Sequence, residues 1–363
     1  MTTPADRLRA MSPDERARLR AELRAKATAG PPPARLSLYF FASADSMPAD
    51  RYYDLVLRAA EHADRAGLHA VWLPERHFVD FGGFSPNPAV LAAAVAARTR
   101  RLRVHAGSVA APLHHPVRIA EDWALVDNLS GGRVGVSFAS GWHRDDFVLA
   151  REDFERRRVV TSETVERVRS LWRGEVSRLP TTAGGVAEVR LSPRPVQPEL
   201  PVWLTAAGNP ATFAEAGRLG TGVMTALLGQ TLPALRDNVA RYRAAWREGG
   251  HAGRGDVVVM VHAHVSDRPD LEDRLRPAMH RYLAAFRRQT GGAADEVLLE
   301  EAFRSYLRGP LSLLGGPDKA RSVLAGLAAA DVDEVGCLVD FGLPADEVLA
   351  GLPALTALVG GAA

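Results

Sequence analysis

From Leu36 onward the chain alternates between short, almost wholly apolar runs and longer stretches whose apolar residues recur every three or four positions. The apolar runs predict strands over Leu36–Ala42, His69–Pro74, Leu102–Val109, Arg133–Phe138, Pro201–Thr205, Thr221–Ala226, Asp256–Val265 and Glu334–Asp340. They are apolar on both faces rather than alternating, the pattern of parallel strands covered on both sides. The periodic stretches predict helices over Arg51–Ala66, Ala89–Arg98, Val117–Leu129, Val159–Trp172, Ala211–Leu219, Leu232–Arg247, Leu271–Arg288, Asp318–Ala329 and Ala345–Leu358. Strand and helix in alternation call for crossover connections and a parallel sheet. Eight such units predict an α/β fold, a (β/α)8 TIM barrel with insertions. An open doubly wound sheet is the competing architecture, but Ala42-Ser43-Ala44-Asp45 lacks the glycine fingerprint that follows its first strand.

Two stretches break the alternation. Arg173–Val196 carries Gly184-Gly185 between two short apolar segments, which predicts a hairpin excursion. Gly291–Ser312 lies between the seventh unit and the last. Residues 1–34 form a separate N-terminal segment, ahead of a barrel spanning 35–363. There Ser12-Pro13-Asp14-Glu15 reads as a helix start, with Leu19 and Leu23 on one face, and Gly30-Pro31-Pro32-Pro33 is a stiff spacer.

The 45 basic and 43 acidic residues leave a net charge of +2. Only Lys26 and Lys319 are lysine, and the arginines are scattered among acids. No basic stripe interleaved with aromatics points to nucleic acid. No apolar run is long enough to span a membrane, and residues 1–9 lack the apolar core of a secretory signal. The single cysteine, Cys337, excludes a disulfide framework and a cysteine-based zinc site. These features lead to the expectation of a soluble cytoplasmic protein.

In a barrel of this kind, chemistry gathers at the C-terminal ends of the strands. Pro74-Glu75-Arg76-His77-Phe78 follows the second strand, and Gly107-Ser108, then Pro112-Leu113-His114-His115-Pro116, follow the third. Ser140-Gly141-Trp142-His143 follows the fourth, Ala206-Ala207-Gly208-Asn209-Pro210 the fifth, and Gly229-Gln230 the sixth. His77 beside Glu75 is a candidate general base, although such a Glu-Arg-His triplet also serves as a structural ion-pair cluster. Gly141 would let backbone approach a planar ligand while Trp142 forms either a wall or simply a lid. Ala207, Gly208, Asn209 and Thr212 open a helix, where free N–H groups and the helix dipole suit a phosphate. His114-His115-Pro116 reads as a loop entering a helix. His262 and His264 lie two apart on a strand, and a metal-dependent hydrolase built on them is the least favoured reading.

Taken together, Ala70–Phe78, Gly83–Pro88, Ala106–Val109 with Pro112–Pro116, Val126–Ser130, Gly132–His143, Pro193–Val196 and Leu200–Pro210 resemble the bacterial luciferase-like flavin-dependent monooxygenases. The likeness runs from about Leu36 to Leu355 and is nearest to the branch associated with natural-product assembly lines. It implies a barrel that binds reduced FMN (FMNH2), delivered by a separate flavin reductase. It further implies a C4a-(hydro)peroxide that oxygenates a natural-product intermediate, free or carrier-protein-bound. A homodimer is common in the family.

By the same resemblance, Gly107-Ser108 matches a strained, often cis, peptide beneath the flavin ring, and Ser140-Gly141 the strand end beside it. Gly208, Asn209 and Thr212 match the phosphate-binding positions. The family's acidic-His-His-Phe motif is here Glu75-Arg76-His77-Phe78, so Arg76 replaces the first histidine. Glu75, Arg76 and His77 are the catalytic candidates, with Gly107, Ser108, Ser140, Gly141, Trp142, Ala207, Gly208, Asn209 and Thr212 as cofactor contacts. The reactive cysteine of luciferases corresponds to Ala139 and the neighbouring phosphate-binding arginine to Ser140, so light emission from an aldehyde is not expected. Arg157 or Arg158 is a substitute phosphate ligand. Leu8–Lys26 is similar to linker segments of nonribosomal peptide and polyketide synthases, which implies a synthase or carrier partner. A deazaflavin-dependent dehydrogenase and a non-catalytic flavin-binding protein are the alternatives on the same fold.

Overall fold

A computed structural model describes residues 34–150, 153–292 and 294–359. The N-terminal helix and proline spacer expected ahead of the barrel lie outside the described residues. Eleven strands are seen among them: β1 (Arg35–Tyr39), β2 (Ala70–Leu73), β3 (Arg103–Ala110), β4 (Val134–Ala139), β5 (Ser177–Pro180), β6 (Val186–Val189), β7 (Val202–Thr205), β8 (Gly222–Ala226), β9 (Val257–Val265), β10 (Leu313–Gly315) and β11 (Glu334–Leu338). The helices are α1 (Ala49–Ala66), α2 (Pro88–Arg98), α3 (Pro116–Ser130), α4 (Arg157–Arg173), α5 (Pro210–Arg218), α6 (Leu232–Glu248), α7 (Leu271–Gln289), α8 (Glu296–Arg308), α9 (Pro317–Ala329) and α10 (Ala345–Thr356).

Strands β1, β2, β3, β4, β7, β8, β9 and β11 pair in that order, all parallel, and β11 returns to β1. The ring is the expected eight-stranded TIM barrel. Closure removes free sheet edges. Each barrel strand overlaps a run read from the sequence, with β1 starting one residue earlier and β3 and β4 ending one residue later. The first is shorter than its apolar run because the N–H groups of Phe41 and Ala42 donate to the Asp340 carboxylate rather than continuing a ladder.

The expected hairpin is β5 with β6, antiparallel across the turn at Gly184. Two elements were not foreseen. Helix α8 lies within Gly291–Ser312, and β10 pairs with the upper end of β9 through Leu313–Ala263 and Gly315–Val265. A three-residue strand carries too few positions to show a period.

The lower end of the barrel is filled. Trp72, His105 and Trp203 pack edge to face or tilted, with ring centroids 4.6–5.0 Å apart. Glycine makes this possible, since a Cβ on Gly222 would lie 2.1 Å from the Trp203 ring and one on Gly135 2.7 Å away. Buried Glu334 accepts hydrogen bonds from Ser37 Oγ (2.6 Å) and Trp72 Nε1 (2.7 Å). A ligand must therefore approach from the opposite end, where the loops after the strands gather. No described helix is long and apolar enough to cross a membrane.

Candidate active site

The loop after β2 brings Glu75 and His77 to the mouth of the barrel, and the loop after β3 brings His114 to meet them. Glu75 Oε1 sits 2.9 Å from His77 Nε2 and 2.7 Å from His114 Nε2, while Glu75 Oε2 accepts the Ala110 N–H at 3.0 Å. The Glu75 side chain is only 1% exposed. Burial pushes its carboxyl upward, but the hydrogen bonds from His114, His77 and Ala110 outweigh that and hold it below the usual range. Burial likewise lowers His114, and the bond and charge of Glu75 reverse this, raising its proton affinity overall. An ionised carboxylate is acceptor-only. Both imidazoles must therefore be protonated at Nε2, which leaves the two Nδ1 lone pairs free.

Expected Glu75 and His77 are thus joined directly. His114, read from sequence as a loop residue entering α3, is the third member. The His-His-Pro run after the third strand was the available signal, but spacing does not say which of its histidines turns inward. His115 instead caps α3, accepting from the Val117 N–H. The three side chains bring their ligand atoms within 4.8 Å of one another, so they could hold a divalent cation if it displaced the Nε2 protons. His262 is not in this group. Its ring packs against Tyr282, Tyr306 and Phe341, and burial lowers its pKa to about 3.

Arg76 points elsewhere. Its guanidinium donates to Gln289 Oε1 (3.1 Å) and the Phe81 carbonyl (3.3 Å), lies 3.9 Å from Asp146, and stacks 4.4 Å from the Trp142 ring centroid. It is 3% exposed. It ties the β2 loop to α7 and to the loop after β4, outside the Glu75–His77–His114 set. Trp142 is 48% exposed and covers Arg76.

The Gly107–Ser108 peptide is cis, as the resemblance implied, and the β3–β4 register shifts there. The Tyr39 hydroxyl donates to the Gly107 carbonyl. A Cβ on Gly107 would lie 3.0 Å from the Tyr39 ring and 3.2 Å from Trp72. Asp340 holds the neighbouring β1 loop through Phe41 N–H, Ala42 N–H and Tyr52 Oη.

At the end of β7, Gly208 has φ +80°, and its carbonyl accepts from Asn238 Nδ2 at 3.1 Å. Asn209 caps α5 by accepting from the Ala211 N–H. Among the described residues, the N–H groups of Ala207, Gly208 and Asn209 have no protein acceptor. Gln230 approaches this turn, its Oε1 buried without a donor and 3.5 Å from the Cβ position of Gly208. Unfilled N–H groups on a helix N-terminus fit a phosphate, and an orphaned buried acceptor fits a hydroxyl or N–H of the same ligand. Thr212 is half-buried on the first turn. Arg157 is committed to the Phe154 carbonyl and ring, and Arg158 is exposed.

A family model described as luciferase-like monooxygenase matches residues 34–309. The oxygenase component of a flavin-dependent trigonelline monooxygenase from Acinetobacter baylyi is 26% identical over 61% of this chain and 62% of its own. A 4-hydroxyprotoasukamycin monooxygenase from Streptomyces nodosus subsp. asukaensis is 28% identical over 62% of this chain and 63% of its own. The chain thus spans just over 60% of the length of either curated relative. The crystal structure of monooxygenase RslO1 from Streptomyces bottropensis superposes with a TM-score of 0.79 at 26% identity, covering 91% of this chain and all of that one. The chain belongs to the luciferase-like monooxygenase family.

Proposed function

We propose that this protein is the oxygenase of a two-component system, using reduced FMN from a separate reductase and O2 to oxygenate a natural-product intermediate. The observation that carries the reading is the meeting, at one barrel mouth, of a phosphate-ready turn and a buried carboxylate–imidazole cluster. When bound, the reduced flavin supplies two electrons to O2, one oxygen atom entering the substrate and the other leaving as water.

The N–H groups at Ala207, Gly208 and Asn209, with Thr212, would hold the phosphate, and Gln230 Oε1 would accept from a hydroxyl of the same ligand. Gly107, Ser108, Ser140 and Gly141 would face the ring, with Tyr39 fixing the Gly107 carbonyl. His77 takes or returns a proton at Nδ1, and Glu75 fixes its tautomer and balances the charge it acquires. Residues 1–34 are the proposed contact for a synthase or carrier protein, on the strength of their likeness to linkers between synthase domains. A homodimer is proposed from the resemblance alone.

The test is to mix the protein, preloaded anaerobically with FMNH2, with oxygenated buffer and follow hydrogen peroxide release. A water-excluding site should slow release at least tenfold relative to free FMNH2. Release at the free-flavin rate, or hydride transfer from a substrate to oxidised deazaflavin without O2 consumption, would overturn the reading.

A further inference from the structure

His114 shares one carboxylate oxygen with His77, and this arrangement has chemical consequences. The Glu75 carboxylate is fixed at three points: Oε1 by two imidazole N–H groups and Oε2 by the Ala110 N–H. The side chain of His77 is 10% exposed and that of His114 33%. Neither Nδ1 has a protein hydrogen-bond partner, and neither is among the atoms sealed from solvent without one. Two histidines thus face one negative charge, and only one of them can be fully balanced by it.

We propose that His114 is a positioning residue for the proton chemistry of His77, acting through Glu75. When neutral, His114 donates to Oε1 and locks the carboxylate so that His77 stays protonated at Nε2 with its Nδ1 lone pair in the mouth. Without that donor, Oε1 is left to His77 alone and the carboxylate loses one of its three fixed points, so the tautomer and aim of the His77 ring are no longer set.

The other charged groups around the cluster are Asp122 on α3, itself paired with Arg118, and Asp146, His143 and Arg76 on the far side of His77. Asp122 favours the cation on His114, in the same sense as Glu75. This inference rests on the assignment of His77 as the proton-handling group.

The experiment compares wild type, His114→Gln and His114→Ala as full chains loaded with FMNH2, reading peroxide release on mixing with O2 at about pH 8. Gln keeps an N–H donor for Glu75 and should match wild type within about threefold. Ala removes the donor and should change the rate roughly tenfold, with FMNH2 affinity unchanged. A change in His114→Gln as large as in His114→Ala, or a wild-type rate for His114→Ala, would overturn the proposal.

A second readout does not depend on the flavin. 15N-detected imidazole tautomers should show His77 protonated at Nε2 in wild type and in His114→Gln, and mixed tautomers in His114→Ala. Failure of FMNH2 to bind wild type refutes the proposed function, whereas a His77 tautomer indifferent to His114→Ala refutes the positioning role.

Discussion

Glu334 closes the lower end of the barrel and offers a test of how its buried charge is managed. The side chain is wholly buried. Oε1 takes both good donors, Ser37 and Trp72, while Oε2 has no hydrogen-bond partner. His69 Nε2 and Arg35 lie 3.5 and 3.6 Å from Oε2, but Arg35 is engaged by Asp256, and burial lowers His69 to about 4, which leaves it neutral at ordinary pH. Burial therefore dominates and raises Glu334 to about 7 from 4.5, with Asp256 adding to it.

A carboxyl raised in the folded state binds its proton more tightly there than in the unfolded chain. Its contribution to stability is full below pH 4.5 and is lost as pH rises through 7. Raising the carboxyl from 4.5 to about 7 corresponds to an upper bound on the order of 3–4 kcal/mol. Glu334→Gln keeps Oε1 for Ser37 and Trp72, and puts an N–H2 where Oε2 faces the neutral His69. The variant should therefore match wild type near pH 4.5 and exceed it above pH 7, by about 5 °C in Tm at that free-energy difference. The assay is calorimetry of both proteins from pH 4.5 to 8.5, with the difference curve isolating this group. A flat difference, or a variant that loses ground as pH rises, would refute the reasoning.

Three further outcomes are expected. Gly208→Glu should weaken FMNH2 binding more than 100-fold, because a carboxylate placed beside the unfilled N–H groups competes with the phosphate; equilibrium dialysis under anaerobic conditions checks it, with circular dichroism as the folding control. Gly107→Ala presses a methyl against Tyr39 and Trp72 and should cost about 1–3 kcal/mol in urea unfolding. His77→Ala should lower product formation by roughly 10²–10⁴-fold while FMNH2 affinity stays within about threefold, read from parallel turnover and titration measurements.

The strands were legible because burial on both faces leaves a simple mark: Val257 to Val265 is apolar at all positions except His262 and His264. The small-residue turn at Gly208 and the helix it opens are legible for a local reason, since positive φ and capping are written in neighbouring residues. The Glu75–His77 pair was visible as a two-residue spacing. His114 was not, because 39 positions separate it from Glu75 and only barrel closure brings their loops together. Arg76 stands between two candidate catalytic residues in sequence, yet its partners Gln289 and Asp146 come from the end of α7 and the loop after β4. The roles of Tyr39 and Asp340 depend on the same long-range geometry: each reaches from one strand end to backbone on another.

The central claim is that this barrel mouth seats reduced FMN by its phosphate. An anaerobic fluorescence titration of the full chain with reduced FMN, and in parallel with reduced riboflavin, tests it most directly. Saturable binding of reduced FMN at least tenfold tighter than reduced riboflavin, lost in Gly208→Glu, is the predicted result. Equal affinity for the two, or none for either, would contradict it.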